Sequence, residues 1–294
     1  TLSVNGTLPA GNVNTTLTGA GGVDPFYLVG NPYPSPIDWD DVHLSNNTLG
    51  STVYVREGFN DYASYNTVGG VSTNHPDPAW AGEILMGQSF WVDNTAAASN
   101  IQFTQSMKSP VGTGQFLRES ENDTELIRIR LFNEDQSDET VVYFNEGSTD
   151  LLELNVDGVK QLNGTFSVSL GRNSYINLSS YNPVLSDTIQ YVFNAISGDF
   201  CEKDVMLNVR DLPEGSYELE FNKYTIGAYS VKLIDSYASA EVPITLGSSY
   251  EFNVDPNALS QGDDRFKLFF NALEIDENLV LSSETVNDCD ADYI

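Results

Sequence analysis

The sequence contains few of the residues on which enzymes most often depend. It has two histidines and two cysteines among its 294 residues. A Ser/His/Asp triad needs a histidine base, but His43 and His75 lie in polar stretches, and neither accompanies a G-x-S-x-G motif. Neither a phosphate-binding loop nor a Rossmann fingerprint occurs. We therefore expect that the chain is not an enzyme and has no nucleotide cofactor.

Carboxylate pairs of the kind that hydrolyse glycosidic bonds remain open as an alternative. Retaining and inverting glycosidases need two carboxyl groups at a set distance in space, and spacing along the chain does not fix that distance. Aspartate and glutamate total 42 here, so no one pair stands out.

Basic residues and long apolar runs are also lacking. Lysine and arginine total 13 against 42 acidic residues, which gives a formal net charge of −29. Such a surface repels phosphate backbones, so we expect no nucleic-acid partner. The sequence has no run of about 18 apolar residues, and we predict no membrane insertion.

The two cysteines, Cys201 and Cys289, are too few to bind zinc, even together with the two isolated histidines. They could pair with each other, pair with a segment beyond the end of the chain, or stay reduced. A mutual disulfide would close a long loop and stabilise the fold by roughly 4–5 kcal/mol.

The residues that are abundant favour strands. Tyrosine and phenylalanine number 15 each, whereas methionine numbers three. Short alternating runs, such as ELIRIRLF at residues 125–132, recur between turn signals at a spacing of roughly 10 residues. No convincing helical period extends beyond two turns. We predict an all-β fold of two tandem antiparallel β-sandwich domains, jelly-roll or immunoglobulin-like.

A weakly patterned segment with Pro110, Gly112 and Gly114 separates the two halves. We predict the first sandwich at residues 1–112, the second at 113–271, and an acidic tail or linker at 272–294. The chain begins without an initiator methionine or a signal peptide. We therefore expect a mature or excised piece of a longer protein, whose other domains are its partners.

The most distinctive stretch is residues 26–41, called the clasp below. It runs from an apolar strand through three prolines, which fix a stiff extended path. Continued extension would deliver Trp39 to a core and leave Asp38, Asp40 and Asp41 near the opposite side. The clasp is then a surface loop with an aromatic plug or, as the alternative, an acidic metal-binding loop.

Calcium is the metal that such acidic loops suit best, because it prefers several oxygen ligands. A second acidic cluster follows later in the chain. Its candidate ligands are Asp135, Asp138, Glu146, Asp150 and Asp157. Neither cluster has the spacing of an EF-hand, and solvated acidic loops are the alternative for both.

The clasp sequence LVGNPYPSPIDW, at residues 28–39, resembles a signature of large secreted and cell-surface proteins of Bacteroidota. Its companions in this chain are GQSFWV at 87–92, DETVVYF at 138–144 and DRFKL at 264–268. Met86 stands where the family usually has proline. The resemblance covers most of residues 1–270. It implies β-domains exported by the type IX secretion system, hence an extracellular or cell-surface location, and it implies no catalytic residue.

A shorter resemblance concerns the sequence DTI at residues 187–189. It is similar to the O-glycosylation pattern of secreted Bacteroidota proteins, which makes Thr188 the candidate acceptor.

We expect a non-catalytic structural or adhesive module that meets the type IX secretion machinery and surface glycans. An alternative is a carbohydrate- or calcium-binding accessory module of a secreted polysaccharide-degrading enzyme. In that case Trp80 and Tyr62, with Trp39 or Trp91, would form an exposed aromatic platform for ligand binding. A further alternative is a surface-filament subunit, whose partners are other copies of the chain.

Overall fold

The computed structural model describes residues 9–18, 26–57, 61–77, 79–94, 98–109, 124–169, 171–183 and 189–273. In these ranges the chain forms 22 strands, one α-helix and two single-turn 3-10 helices. The predicted all-β fold class is confirmed.

The elements of the first part of the chain are β1 Val13–Thr18, β2 Tyr27–Gly30, β3 Ile37–Asp38, α1 Trp39–Ser45, β4 Leu49–Glu57, β5 Asp61–Asn66, β6 Val71–Thr73, β7 Glu83–Ile84, β8 Ser89–Asn94, β9 Ala98–Phe103 and the 3-10 helix Gln105–Met107. Those of the later part are β10 Leu126–Phe132, β11 Ser137–Phe144, β12 Gly158–Val159, β13 Phe166–Ser167, β14 Arg172–Asn173, β15 Asn177–Tyr181, β16 Tyr191–Ile196, β17 Glu202–Arg210, β18 Gly215–Tyr224, β19 Tyr229–Asp235, β20 Ala240–Ile244, β21 Ser248–Val254, the 3-10 helix Ala258–Ser260 and β22 Gly262–Ala272.

The chain divides into two compact units. The first takes in the described residues up to 109 together with the later segment Glu153–Gly158, and the second takes in Thr124–Leu152 and the described chain from Val159 onward. The sequence prediction assigned Glu153–Gly158 to the second domain, whereas the structure places this segment in the first unit. The predicted boundary between residues 112 and 113 lies outside the described residues, as does the tail beyond residue 273.

The first unit is built from three antiparallel sheets around one core. A five-stranded sheet has the order β2-β8-β4-β5-β6, and β1–β9 and β3–β7 form two-stranded sheets. Val53 and Phe90 from the large sheet, Ile101 from β9 and Ile84 from β7 belong to the same buried cluster. The core therefore lies where the small sheets meet the large one.

The clasp leaves extended geometry at Asp38. The Asp38 carboxylate accepts a hydrogen bond from the amide of Asp40 at 2.9 Å and so caps α1. Trp39 and Val42 are buried on this helix. The expectation that Trp39 enters the core is confirmed. The expectation of extended chain through residue 41 is wrong, because an aspartate followed by acidic residues forms a favourable helix N-terminus.

The segment Glu153–Gly158 completes the hydrogen bonding of the first unit. The amide of Ser51 donates to the carbonyl of Leu154 at 2.8 Å, and the side-chain amide of Asn66 donates to the carbonyl of Val156 at 2.7 Å. Asn66 is fully buried, so no water replaces these bonds at its position. The first unit is thus complete only when the later segment is present.

The second unit contains an 11-stranded sheet around a single core. Ten of its strands follow the order β20-β19-β22-β17-β15-β16-β11-β10-β18-β21, and β12 pairs with β16 beside this path. Although β21 and β22 are far apart in that order, Phe252 of β21 and Phe266 of β22 meet with ring centroids 4.9 Å apart. The sheet therefore curls over itself, and its ends share a core in the manner of a β-sandwich.

Strand β10 has the alternation that the sequence predicts. Ile127, Ile129 and Leu131 are fully buried, whereas Arg128 lies on the outer side and its guanidinium is 3.1 Å from Glu139. Period-two patterning therefore assigns the inner face of this strand correctly.

A buried ion pair lies between two neighbouring strands of the curled sheet, and its arginine also reaches a distant strand. Arg265 in β22 contacts Asp235 at the end of β19 at 3.0 Å, and the two side chains are 3% and 1% exposed. Arg265 also donates to the carbonyl of Asn253 in β21 at 2.8 Å. Because a single buried charge is strongly unfavourable, this pair helps to fix which strands face each other.

We predict that Asn66→Ala lowers the free energy of unfolding by about 2–4 kcal/mol. The substitution removes the bond to the carbonyl of Val156 and the bond from the amide of Gly69, each 2.7 Å long, and removing one partner of a buried hydrogen bond costs about 1–3 kcal/mol. Urea unfolding measures the change. Asn47→Ala, at an exposed position of the same unit, is the matched control; equal midpoints for the two variants would contradict the role of Asn66.

Candidate functional site

The clasp is held in place by the side chain of Asn31. Its amide nitrogen donates to the carbonyls of Ser35, Ile84 and Leu85 at 2.9, 3.2 and 3.1 Å, and its oxygen accepts from the amide of Tyr33 at 2.9 Å. Asparagine suits this position because it offers donors and an acceptor on one short side chain. Asn31 thereby joins the proline-rich path to the turn that precedes β8.

Trp39 fills the core behind the prolines. Its indole nitrogen donates to the carbonyl of Ser51 at 3.1 Å, and the residue is fully buried. Gly82 lies against it with a φ of +81°, and a Cβ at this glycine would be 2.5 Å from the ring of Tyr65 and 3.0 Å from the Cβ of Trp39. Only glycine fits this approach.

The three aspartates of the clasp have separate structural roles. Asp38 caps α1, Asp40 accepts hydrogen bonds from the hydroxyls of Tyr65 and Thr67, and Asp41 is exposed. Across the described part of the chain, no three side chains of the metal-binding types come together. Of the two alternatives for the clasp, these contacts agree with the loop that carries an aromatic plug.

Asp138, from the second acidic cluster, is neutralised inside the protein. Its carboxylate lies 2.6 Å from the ammonium group of Lys160, and these side chains are 0% and 2% exposed. The amide of Leu178 donates to the same carboxylate at 2.6 Å. A lysine therefore supplies the positive charge that the sequence prediction assigned to calcium.

The other four candidate calcium ligands lie apart from this buried pair. Asp150 forms an ion pair with Lys203, and the buried Asp157 accepts a hydrogen bond from the amide of Glu153 at 2.8 Å. The remaining two, Asp135 and Glu146, are exposed. Within the described part of the chain, no three of these carboxylates come together as a metal ion would require.

The aromatic residues proposed as a platform are only partly accessible. Trp80 is half-buried and stacks on His75 with ring centroids 4.5 Å apart. Tyr62 is half-buried, with the guanidinium of Arg56 over its ring at 5.4 Å. Trp39, being fully buried, takes no part in a platform. Trp80 and Tyr62 each have one face occupied by a neighbouring side chain.

Of the remaining predicted site residues, Cys201 is described and is disulfide-bonded. Cys289, its candidate partner, and Thr188, the candidate glycosylation site, lie outside the described residues.

None of the helices in the described residues is long and apolar enough to cross a membrane.

The second unit forms a cleft of about 600 Å³ that the sequence does not predict. It lies among the loops that follow β11, β15 and β16, beside β17. This acidic cleft is lined by four carboxylates, one ammonium group and two aromatic rings: Asp150, Asp199, Glu202, Asp204, Lys203, Phe200 and Phe269. Because the lining comes from separate segments, only the sequence GDFCEKD at residues 198–204 could have drawn attention to it.

Phe200 is held at the acidic cleft by other aromatic rings. Its ring lies 4.7 Å from that of Tyr229 and 6.0 Å from that of Phe144, and the ammonium group of Lys203 lies 5.6 Å from its centroid. Lys203 in turn pairs with Asp150. The cleft thus combines a positioned apolar ring with carboxylate acceptors, a combination suited to ligands that carry both hydroxyl groups and apolar faces.

His43, on helix α1, has a pKa below its usual value. Burial lowers the pKa of His43 from 6.5, and the nearby carboxylate of Asp40 only partly opposes this. Its Nδ1 is buried and has no hydrogen-bond partner among the described residues. Burial beside the Trp39 ring, 6.2 Å away, thus favours the neutral form of the imidazole.

Gly82→Ala should lower the free energy of unfolding by about 3 kcal/mol, since it combines a left-handed φ with a clash against Tyr65. Gly87→Ala is the matched control, because Gly87 has a φ of +74° but nothing within 4 Å of its added Cβ. The free energy of unfolding of that variant should fall by about 1 kcal/mol. Chemical denaturation of both variants separates the clash from the backbone strain; equal losses would show that the close packing at Gly82 does not matter.

His43 should also make stability depend on pH. Because its pKa is lower in the folded than in the unfolded protein, the unfolded chain binds a proton first as pH falls. The His43 contribution is fully present above the unfolded pKa and is lost as pH falls below 6.5. In His43→Gln, the drop in urea midpoint between about pH 7.5 and pH 5.5 should be smaller than in the wild type; an identical drop would rule out this contribution.

Comparison with known proteins places the chain in a family. A family model described as "Domain of unknown function (DUF8693)" matches residues 1–178, a span that contains the whole first unit, including Glu153–Gly158. No curated protein and no solved structure matches the chain. Since the match covers more than half of the 294 residues, the chain belongs to the family of this domain of unknown function, DUF8693.

Proposed function

We infer that the chain is a non-catalytic structural and adhesive module of a protein that is exported by the type IX secretion system and displayed on the cell surface. The observation that carries this proposal is the use of the motif residues. Asn31 and Trp39 direct their side-chain hydrogen bonds to backbone carbonyls, and the side chain of Gln88 accepts from the amide of Leu85 at 2.8 Å. The residues that resemble those of surface proteins thus act as parts of a scaffold.

Two further features support a place outside the cell. Cys201 is disulfide-bonded, and disulfides persist mainly in oxidising compartments. The net charge of −29 favours solubility and discourages non-specific adhesion to anionic lipid.

The connection between the units also suits a module that bears load. The chain leaves the second unit after Leu152, forms Glu153–Gly158 of the first unit and returns to the second unit at Val159. The first unit therefore depends on a segment that lies, in the sequence, between two parts of the second.

The test is export of the longer protein that carries this chain in a Bacteroidota host. With an intact type IX system we expect the protein on intact cells, accessible to antibody and to added protease. In a strain that lacks a component of that system, the surface signal should disappear and the protein should accumulate inside the cell. Equal surface signal in the two strains would refute this export route.

A glycan-binding accessory module is a second candidate, favoured by the acidic cleft. Phe200 and Phe269 supply apolar surface there, while Asp199 and Glu202 are exposed acceptors for hydroxyl groups. A neutral sugar meets both needs, because its ring has an apolar face and its rim carries hydroxyl groups.

Binding of neutral oligosaccharides to the intact chain tests this second function. Phe200→Ala and Glu202→Gln should each weaken binding at least about 5-fold, since each removes a contact worth about 1 kcal/mol. Glu218→Gln, on β18 away from the cleft lining, is the control and should leave affinity unchanged. Equal affinity in all three variants would place the glycan elsewhere.

A further inference from the structure

A second cleft in the second unit has a different charge pattern. It has a volume of about 470 Å³ and lies between the β13–β14 turn, the end of β17 and the start of β22. Apart from two glycines, every residue of its lining is polar or charged. This arginine cleft is defined by Arg172, Asn208, Arg210, Asp211, Gln261 and Asp263.

Arg172 is fixed in the arginine cleft but has no counter-ion among the described residues. Its guanidinium donates to the carbonyls of Asn173 and Asp211 at 3.0 and 3.1 Å, so backbone groups orient it. The other described arginines of this unit each lie 3.9 Å or less from a carboxylate oxygen: Arg128, Arg130, Arg210 and Arg265. In a chain of net charge −29, an oriented guanidinium without a carboxylate is a marked exception.

The nearby carboxylate of Asp211 is already engaged by other donors. Asp211 has a left-handed φ of 63° and accepts from the amide and the side chain of Asn173 at 2.9 and 3.0 Å and from Asn177 at 3.1 Å. It also accepts from the Nε of Arg210 at 3.2 Å. Such a backbone strain persists only where the surroundings fix it. The network orients Arg210 through its Nε, and the residue remains exposed at the cleft.

Asn208 lines the same cleft with a largely buried side chain. Its residue is 7% exposed, and its Oδ1 is buried without a hydrogen-bond partner among the described residues. Leaving a buried polar atom unpaired costs about 1–3 kcal/mol, and such atoms are rare in folded proteins. The lining of the cleft therefore includes a side chain whose hydrogen bonding the described residues leave incomplete. Gln261 is different, because both ends of its amide bind the backbone of Leu212.

We propose that the arginine cleft binds a uronic acid, with the sugar carboxylate between Arg172 and Arg210 and the hydroxyl groups at Asn208 and Asp263. Guanidinium groups bind carboxylates by paired, charge-assisted hydrogen bonds. The polar lining favours a ligand rich in hydroxyl groups over an apolar one, and the volume is within the range of small-ligand sites.

The negative net charge of the protein limits the ligand to one or a few negative charges. A net charge of −29 repels polyanions at long range, so the local pair of arginines selects a single carboxylate. This inference goes beyond the proposed function and holds whether or not the chain is exported, and its site is separate from the acidic cleft tested above.

Ligand-observed NMR and isothermal titration of the intact chain test the proposal with D-glucuronic and D-galacturonic acids as probes. At least one of the two acids should bind, and glucose should bind at least 10-fold more weakly. Arg172→Gln and Arg210→Gln should each weaken uronate binding at least 10-fold, because each removes a charge-assisted contact. Arg130→Gln, whose partner Glu220 lies at 3.9 Å outside the cleft, should leave affinity unchanged.

The variants and probes also separate the competing explanations. Arg210 is exposed, so its variant keeps the fold, which circular dichroism and a urea midpoint check. The proposed site is wrong if glucose binds as tightly as the uronic acids. It is also wrong if Arg130→Gln weakens uronate binding as much as the two cleft variants do. If acetate, or a peptide with a free C-terminal carboxylate, binds as tightly as the uronates, the carboxylate is recognised without the sugar and the assignment to a uronic acid is wrong.

Discussion

Irregular chain crossings inside an all-β protein must give every buried amide and carbonyl a partner, and here asparagine side chains meet that requirement. Asn31 connects the proline-rich path to the turn before β8, and Asn66 connects β5 to the segment Glu153–Gly158. Asn177 does the same in the second unit, where it donates to the carbonyl of Asn163 and accepts from its amide. Within the sheets, backbone groups bond to each other. In the irregular segments between sheets, the side-chain amides of these asparagines provide the missing hydrogen-bond partners.

The distribution of charge follows from how few bases the chain has. Several of the 13 lysines and arginines are used inside the protein or at its half-buried edges, as in Arg265 with Asp235 and Lys160 with Asp138. With 42 acidic residues against 13 basic ones, carboxylates are in large excess, which accounts for the acidic surface. The two clefts differ in the charges that line them. The acidic cleft carries carboxylates beside an aromatic ring, whereas the arginine cleft carries Arg172 and Arg210.

The sequence predicted the features that depend on local patterning. Alternation assigned the inner face of β10, and the prolines and the single tryptophan of the clasp predicted that Trp39 fills a core. The helix α1 was missed because its seven residues make too short a period to recognise. The calcium prediction did not anticipate Lys160, because pattern alone does not say which carboxylate meets a cation 22 positions away. The clefts and the place of Glu153–Gly158 depend on contacts between distant segments, on which patterning carries no information.

The return of the chain at Glu153–Gly158 also sets an order of folding. Protein chains emerge from the ribosome N-terminus first, and domains generally fold as units when their residues are available. The bonds of Ser51 to Leu154 and of Asn66 to Val156 cannot form until synthesis has passed β11. The first unit must therefore remain incomplete during that interval, with the buried side of β4 and β5 still open. The first unit can therefore close only once Glu153–Gly158 has been synthesised, by which time strands β10 and β11 of the second unit are also available.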